Sequence, residues 1–580
     1  MGKHKLLTAI LLAWACVCLA RSASLGPSSL RFEDVAKSTG LRVPHLSTPD
    51  KKYILESMSG GVGFIDCDND GKLDIVTVNG STVERFLKGG DPMVTLYHQG
   101  AGLKFTDITL SAGLTRKGWG MGVAVADFDN DGWQDLYVTG FDGNVLYRNL
   151  GNCQFEDVTE RAGLRGGGFS AGAAWADYDR DGFVDLFVAR YVHLDIHHLP
   201  EFGGKNGDCA FQNIKVQCGP AGLPGESNLL FHNRGDGTFE EVAKQAGVDN
   251  PGGAYGMQPL WFDYDNDGWP DLFVANDRGA NFLYRNQGHA NEARQTSGER
   301  QFEDVGLLSG TALDESGKAR GSMGVDAADF SHDGRLSLFV TTFSSQADAL
   351  YLNRGSLGFT DVARAAQIAK PTYPYVGWGA AFADFDNDGW ADLLAVNGHV
   401  YPQADTIPGM GRYREPLQVF RNRHDRSFED VSASSGLANL PLLSRRGAAF
   451  GDINNDGKVD VLILNEDGPP TLLLNTTKNA EHAALFRLIG TKSNKAGIGA
   501  RVTVVAGDLE QFNEVRGGSS YLSQNDLRLH FGLGAHASMD KVEVLWPSGS
   551  KQDFENLPGD FIYSIQEGAG IQQKTPFAKP

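Results

Sequence analysis

The chain alternates short apolar runs with clusters of Gly, Asn and Asp, and the same order of pieces returns along most of its length. In one stretch the pattern predicts strands at residues 122–126, 136–139, 145–149 and 155–159, with turn residues between them. A Leu-Tyr-Arg-Asn signal or a variant marks the third strand of each unit. A Phe-Glu-Asp-Val signal or a variant marks the fourth, beginning at Phe32, Phe105, Phe155, Phe239, Phe302, Phe359 and Phe428. Four short strands repeating every 50 or more residues read as blades of an all-β propeller, not as a helical solenoid. The first fourth-strand signal precedes every other piece and none follows the last unit, so residues 447–475 lack an outer strand that residues 30–37 can supply. The expectation is a seven-bladed ring closed by its two ends, with no unpaired blade edge.

Between the first and second strands of each unit lies a nine-residue loop, Asp-x-Asp-x-Asp-Gly-x-x-Asp. Five copies are complete: Asp66/Asp68/Asp70/Asp74, Asp127/Asp129/Asp131/Asp135, Asp177/Asp179/Asp181/Asp185, Asp263/Asp265/Asp267/Asp271 and Asp384/Asp386/Asp388/Asp392. The seventh carries one amide (Asp452/Asn454/Asp456/Asp460), and the fifth has decayed to Asp329/Ser331/Asp333/Ser337. Carboxylates so dense repel one another unless a cation neutralises them, and a hard divalent ion with oxygen ligands suits the spacing. Calcium is the expected ion, structural, in five to seven sites. Positions one, three and five are expected to point inward, the Gly at position six allows the sharp bend, and position nine closes the shell. An EF-hand needs Glu at position twelve and flanking helices. Position twelve here is Thr77, Val138, Val188, Val274, Val340, Ala395 and Ile463, between strand-like runs.

Residues 1–24 have the layout of a secretory signal: Lys3 and Lys5, an apolar run from Leu6 to Ala20, then small residues. A secreted product, periplasmic or extracellular, is expected, without a membrane span. Cys209 and Cys218 suit a local disulfide, while Cys67 and Cys153 are open between pairing and buried thiols. The net charge of −20, from 72 acidic against 52 basic residues, argues against nucleic acid, which needs a basic surface.

Turns joining the second and third strands emerge on the face opposite the acidic loops. Two are enlarged, at residues 190–228 and 397–417, and long loops on a rigid scaffold are where binding usually resides. Candidate ligand-binding residues there are Arg190, Tyr191, His193, Asn397 and His399, with Asn276 and Asp277 at the equivalent place in the fourth unit. Gly168-Phe169-Ser170-Ala171-Gly172 matches a nucleophile-elbow pattern but leads into a strand instead of a helix. Arg234-Gly235-Asp236 occupies a hairpin turn, and hairpin chemistry accounts for it.

The repeats resemble the FG-GAP/VCBS type, the calcium-loop blade also used in integrin α-subunits. Further on, Asn494-Lys495-Ala496-Gly497-Ile498-Gly499-Ala500, Val515-Arg516-Gly517-Gly518-Ser519-Ser520-Tyr521-Leu522-Ser523-Gln524, Leu529-His530-Phe531-Gly532-Leu533-Gly534 and Val544-Leu545-Trp546-Pro547-Ser548-Gly549 resemble the ASPIC/UnbV domain. The combination is similar to the cartilage acidic protein family and its bacterial relatives. No Cys follows Cys218, so the EGF-like module of animal members has no counterpart in this sequence. The expected division is a signal at 1–24, a propeller at 25–476, a small β-rich ASPIC/UnbV-like domain at 477–570 and a flexible tail at 571–580. The resemblance implies a calcium-stabilised interaction scaffold that binds an extracellular protein or glycan on the face away from the acidic loops. Two alternatives stand beside it. One is a carbohydrate-active lyase or dehydratase using His193, Tyr191, His399 and Arg190. The other is an adhesion or assembly role carried by the C-terminal domain.

Overall fold

The computed structural model describes residues 30–250, 252–288, 301–406 and 412–579. The expected export signal lies outside these residues. The architecture is all-β and propeller-like. Seven antiparallel four-stranded units are found among the described residues, the fourth and fifth joined by pairing of Asp277 with Gly321. The second unit is typical: Lys117–Ala126, Asp135–Phe141, Val145–Asn149 and Phe155–Asp157, in consecutive order. In the last unit, Arg445–Gly451, Asp460–Asn465 and Thr471–Asn475 are completed by Phe32–Asp34, with Phe32 opposite Asn475. Each unit's first strand packs against the first strand of the next, and Arg445–Gly451 packs against Val62–Ile65 of the first unit. The apolar core lies between neighbouring sheets, as where Val76 and Leu96 meet Val125, Leu136 and Tyr147.

The third-strand asparagine fastens the units to one another. Its side-chain Nδ2 donates to the carbonyl of loop position two in the preceding unit: Asn149 to Cys67 at 2.9 Å, Asn233 to Phe128 at 2.8 Å, and Asn286, Asn353, Asn422 and Asn475 likewise. Gln99 takes this place in the first unit and donates to Ile453 of the last at 3.0 Å, so the bonds run full circle. Two disulfides are formed, Cys209 with Cys218 and Cys67 with Cys153, the second crossing from the first unit to the second.

The C-terminal module packs two four-stranded sheets around Phe486, Val502, Val504, Phe531, Val542 and Tyr563. Within it His482–Ile489 and Phe561–Gln566 run parallel. The tail expected to be flexible is instead largely strand: Gly570–Pro576 pairs with Phe561–Gln566, and Ala578 donates to the Asn455 carbonyl at 2.7 Å. Its polar sequence, Gln572-Gln573-Lys574-Thr575, is exposed throughout, as suits an edge strand, and carries no alternation that would have marked it as one.

This module sits on the acidic-loop face and sends residues 516–526 into the axis of the ring. There the segment bonds to the first strand of every unit. Gln524 exchanges backbone bonds with Val62 and Phe64, and Val123 donates to Leu522. Trp175 donates to Gly517, Gln258 accepts from Leu522, and Val325 and Ser520 bond reciprocally. Ala380 donates to Ser520, and Phe450 donates to Asn525. Close approach of the segment and of neighbouring first strands explains glycines here: a Cβ on Gly61 would lie 2.2 Å from the Leu522 carbonyl oxygen, and one on Gly324 3.0 Å from that of Ser520 and 2.0 Å from that of Trp378 in the next first strand.

Candidate functional site

The acidic loops share one geometry. The position-one carboxylate accepts from the backbone of position six, as Gly132 to Asp127 at 2.7 Å and Gly389 to Asp384 at 2.7 Å. Position four is left-handed, with φ of 57° at Asn69 and 58° at Asn130, Asn387 and Asn455. Its amide donates to the glycine carbonyl of the next loop, Asn69 to Gly132, Asn130 to Gly182, Asn266 to Gly334, Asn387 to Gly457 and Asn455 back to Gly71. The position-nine carboxylate is buried and takes two backbone N–H groups, as Asp135 does from Phe128 at 3.0 Å and Asn149 at 2.7 Å. In the decayed fifth loop the Ser337 hydroxyl accepts from Asn353 in the same place at 3.1 Å, so this part of position nine survives loss of the carboxylate.

Buried carboxylates are pushed toward their neutral form. Burial, with smaller repulsion from Asp131 and Asp129, holds Asp127 up at about 7, and burial raises Asp177 to about 8 and Asp452 to about 7. The protein offsets some of this charge itself. The third-strand residue before the asparagine reaches positions three and five: Arg148 to Asp129 and Asp131, Arg285 to Asp265 at 2.9 Å, Arg421 to Asp386 at 2.8 Å, and His98 to Asp68 at 3.0 Å. Leu352 and Leu474 occupy that place in the fifth and seventh units. Carboxylate oxygens of Asp66, Asp68 and Asp70, of Asp127, Asp129 and Asp135, and of Asp177, Asp179 and Asp185 come within 4.8 Å of one another. Asp66 Oδ1 and Asp177 Oδ1 are buried with no hydrogen-bond partner among the described residues. An all-oxygen set of this size fits calcium.

Position five, expected to point inward with positions one and three, commits one carboxylate oxygen to the loop's own backbone in six loops, at Asp70, Asp131, Asp181, Asp267, Asp388 and Asp456. In each, Oδ1 accepts from position seven: Lys72 to Asp70 at 2.8 Å, Trp133 to Asp131 at 3.0 Å, Phe183 to Asp181 at 2.9 Å, Trp269 to Asp267 at 3.0 Å, Trp390 to Asp388 at 2.9 Å and Lys458 to Asp456 at 3.1 Å. Five of the six also turn Oδ2 to a side-chain cation, Asp70 to Lys72 and Asp131 to Arg148 at 2.8 Å among them. Asp267 faces Arg285 at 3.8 Å, Asp388 faces His424 at 3.0 Å and Arg421 at 3.5 Å, and Asp456 faces Lys458 at 3.8 Å. Asp267 is exposed, and Asp388 and Asp456 are half-buried. The physical reason is the bend at the following glycine, which brings the position-seven N–H within reach of the carboxylate.

A cavity of about 440 Å³ beneath the C-terminal module, lined by Asp66, Asp70, Asp127, Arg487 and Arg528, reaches the first two loops. The opposite face holds a second concavity on the ring axis, of about 410 Å³, lined by Tyr191, Phe211, Asp277, Phe343, Trp378 and Tyr401 among others. The inserted segment closes it from below: Tyr521 is fully buried, 4.8 Å from the Trp378 ring, and donates to the Met58 carbonyl at 2.8 Å. Phe211 comes from a small hairpin in the insertion at residues 190–228 and packs 5.9 Å from Phe343 and 5.3 Å from Tyr401.

The structure separates the seven candidate ligand residues. Tyr191 and Asp277 meet in the cavity, with the Tyr191 hydroxyl 2.6 Å from Asp277 Oδ2. His193 stays exposed and bonds Glu226 at 3.1 Å, beside an Arg190–Glu226 ion pair. His399, expected on an accessible loop, is buried behind Phe211 and Phe343; burial, then Arg446, lowers its pKa to about 3. Asn276 and Asn397 are also buried, their amides donating to Ala280 and Pro416 of their own turns. Of the four groups expected to serve a lyase, Arg190 and His193 meet at Glu226, Tyr191 lines the cavity and His399 is buried apart from them.

A family model of the FG-GAP-like repeat matches residues 66–138, 127–188, 221–274, 263–340 and 329–395, about half of the chain, and a model of ASPIC and UnbV matches residues 490–572. The chain belongs to the FG-GAP-like repeat family. Cartilage acidic protein 1 of Homo sapiens is 27% identical over 346 residues, which are 59% of this chain and 40% of that relative, so the match spans under half of the relative's length. Integrin alpha-3 of Mus musculus is 34% identical over 102 residues, 17% of this chain and 9% of the integrin. Among solved structures, a Bacillus licheniformis rhamnogalacturonan lyase aligns at 13% identity over 80% of this chain and 77% of its own, with a TM-score of 0.34, too low to carry an argument.

Within these FG-GAP-like repeats, the asparagines ending the second strands are repeat positions. Asn79 and Asn465 bond Pro92 and Pro469 as Asn276 and Asn397 bond their turns, which is why the pattern drew attention to them. The position-four asparagines went unassigned from sequence, although Asn recurs there in five of the seven loops. In four loops their side-chain oxygens also accept from the C-terminal module, from Arg487, Lys495, Arg501 and Arg528.

Proposed function

We propose that this chain is an extracellular interaction scaffold, a seven-bladed propeller whose acidic loops hold calcium and whose axial cavity, on the face away from those loops, receives a protein or glycan ligand. The observation that carries the reading is the division of labour between the two faces. The loop face is covered by the C-terminal module and its inserted segment, while the other face keeps an open, aromatic-lined cavity and the enlarged insertions. Kinship with cartilage acidic protein 1 supports an extracellular setting, and no helix of the described residues is long and apolar enough to cross a membrane. The residues proposed to hold calcium are the loop carboxylates and Asn454, and the ion would neutralise the buried charge. The ion would compete with the side-chain cations that face Asp70, Asp131, Asp267, Asp388 and Asp456. The test is a screen of the calcium-loaded chain against a glycan array and extracellular proteins, beside Phe211→Arg, which fills the cavity mouth. A binder lost in this variant supports the cavity. A binder that Phe211→Arg leaves untouched, and that substitutions in the C-terminal module abolish, overturns it.

A further inference from the structure

The axial cavity holds a carboxylate with no ion-pair partner of its own. Asp277 lies in its wall, its Oδ2 accepting from Tyr191, and no ion pair reaches it among the described residues. The neighbouring Arg278 is exposed, at a φ of 57°, and lines the cavity without pairing. Glu466, fully buried, instead pairs with Lys51 at 3.1 Å and Arg446 at 3.3 Å, while Asp348 and Glu415 share with Asp277 the lack of an ion pair among the described residues.

Around Asp277 the wall is aromatic and soft: Tyr191, Phe211, Phe343, Trp378 and Tyr401, with Met58 and Met323. Much of its hydrogen-bonding capacity is already committed internally. Trp378 Nε1 donates to Gly398, Gln346 accepts from Gly321, and Gln217 bonds Ser57. Ser344 Oγ, also in the wall, is buried and has no partner among the described residues. Arg278, Gln212, Ser345 and the Tyr401 hydroxyl also line the cavity, and Asp277 is the one carboxylate among its lining residues. A cation gains both from the carboxylate and from the electron-rich ring faces.

We propose that the cavity binds an alkylammonium group, primary or methylated, with Asp277 as counter-ion and the aromatic wall around its alkyl part. Because the inserted segment closes the axis from below, such a group enters end-on from the open face. The proposal rests on the reading of the cavity as the binding site and narrows its ligand. Burial lifts the Asp277 carboxyl to about 6, against the Tyr191 hydrogen bond and the nearby Arg278 charge, which act to lower it.

The test titrates the full, calcium-loaded chain with choline, with its neutral isostere 3,3-dimethylbutan-1-ol and with Nα-acetyl-lysine amide, by calorimetry and by intrinsic fluorescence. The expected result is saturable binding of at least one cation, absence of binding by the neutral isostere, and about a tenfold loss of affinity in Asp277→Asn with an unchanged melting curve. Tighter binding of choline points to a small quaternary amine, and tighter binding of the lysine derivative to a protein side chain. Equal binding of the neutral isostere, unchanged affinity in Asp277→Asn, or no binding of either cation overturns the proposal. If Asp277→Asn melts early, Phe211→Ala replaces it, and unchanged affinity there is likewise fatal. Loss of the ammonium class alone, with another ligand still displaced by Phe211→Arg, leaves the cavity as the binding site and removes only its assigned chemistry.

Discussion

Replacing Tyr521 by Ala separates two pictures of the C-terminal module, a passenger on the ring and a part of its core. The side chain is fully buried, lies in one apolar cluster with Trp119, Phe169, Met257, Met323 and Trp378, and so touches a core built from five of the seven units. Truncating a buried aromatic costs about 3–5 kcal/mol, and the lost hydrogen bond to Met58 adds about 1 kcal/mol. Tyr521→Phe keeps the ring and leaves the Met58 carbonyl without its donor, at a cost of about 1–3 kcal/mol. Hydrogen exchange read by mass spectrometry resolves where the loss is felt. If the segment is core, Tyr521→Ala raises exchange together in Val62–Ile65, Lys117–Ala126, Arg320–Ala328 and Gly377–Ala383, as well as in the module. Faster exchange confined to residues 477–579, with the first strands protected as before, would refute the reasoning.

The remaining expectations are simpler to check. Deleting residues 30–37 strips the partner from Thr471–Asn475 and should drive aggregation in sedimentation, whereas trimming residues 573–580 removes part of an edge strand and should leave a monomer; equal tolerance contradicts the ring closure. His193→Ala should change stability by no more than about 0.5 kcal/mol and His399→Ala by about 3 kcal/mol in denaturant titration, because one is exposed and the other buried among rings. In chelator, Asp127, Asp177 and Asp452, raised to about 7, 8 and 7 from 3.8, bind more protons folded than unfolded across that range. The melting temperature should therefore fall from pH 5 to pH 8, a trend that added calcium should flatten, and a calcium-free chain more stable at pH 8 would contradict the assignment.

The strand pattern was legible because each unit repeats the same apolar run, turn and aspartate loop, so Phe32 could be matched to Phe428 and set against the last unit. Its pairing with Asn475 follows from a count of pieces. The axial segment was not legible. Gly517, Gly518 and Ser519 mark a motif but give no periodicity that says where the chain travels, and its partners lie hundreds of residues away. Tyr191 and His399 looked alike in sequence, two polar residues opening enlarged turns, yet one lines the cavity and the other is walled off by Phe211. That hairpin is local and its docking is tertiary, so sequence spacing held no trace of it. The third-strand arginines were visible as letters of a motif, but their reach over positions three and five depends on side-chain direction across a hairpin. For the same reason the spacing of the position-five aspartates gave their place in the loop but not the bond that six of them accept from position seven.

The central claim is that these loops are calcium sites which hold the ring together, and it is tested most directly by metal content and melting on the same sample. After dialysis, elemental analysis should find at least five calcium ions per chain, matching the five complete loops, with the Asp329 loop weak or empty. Chelation should then lower the melting temperature through loss of bound-ion stabilisation. Fewer than two tightly held ions, together with a melting curve unmoved by chelator, would contradict the account.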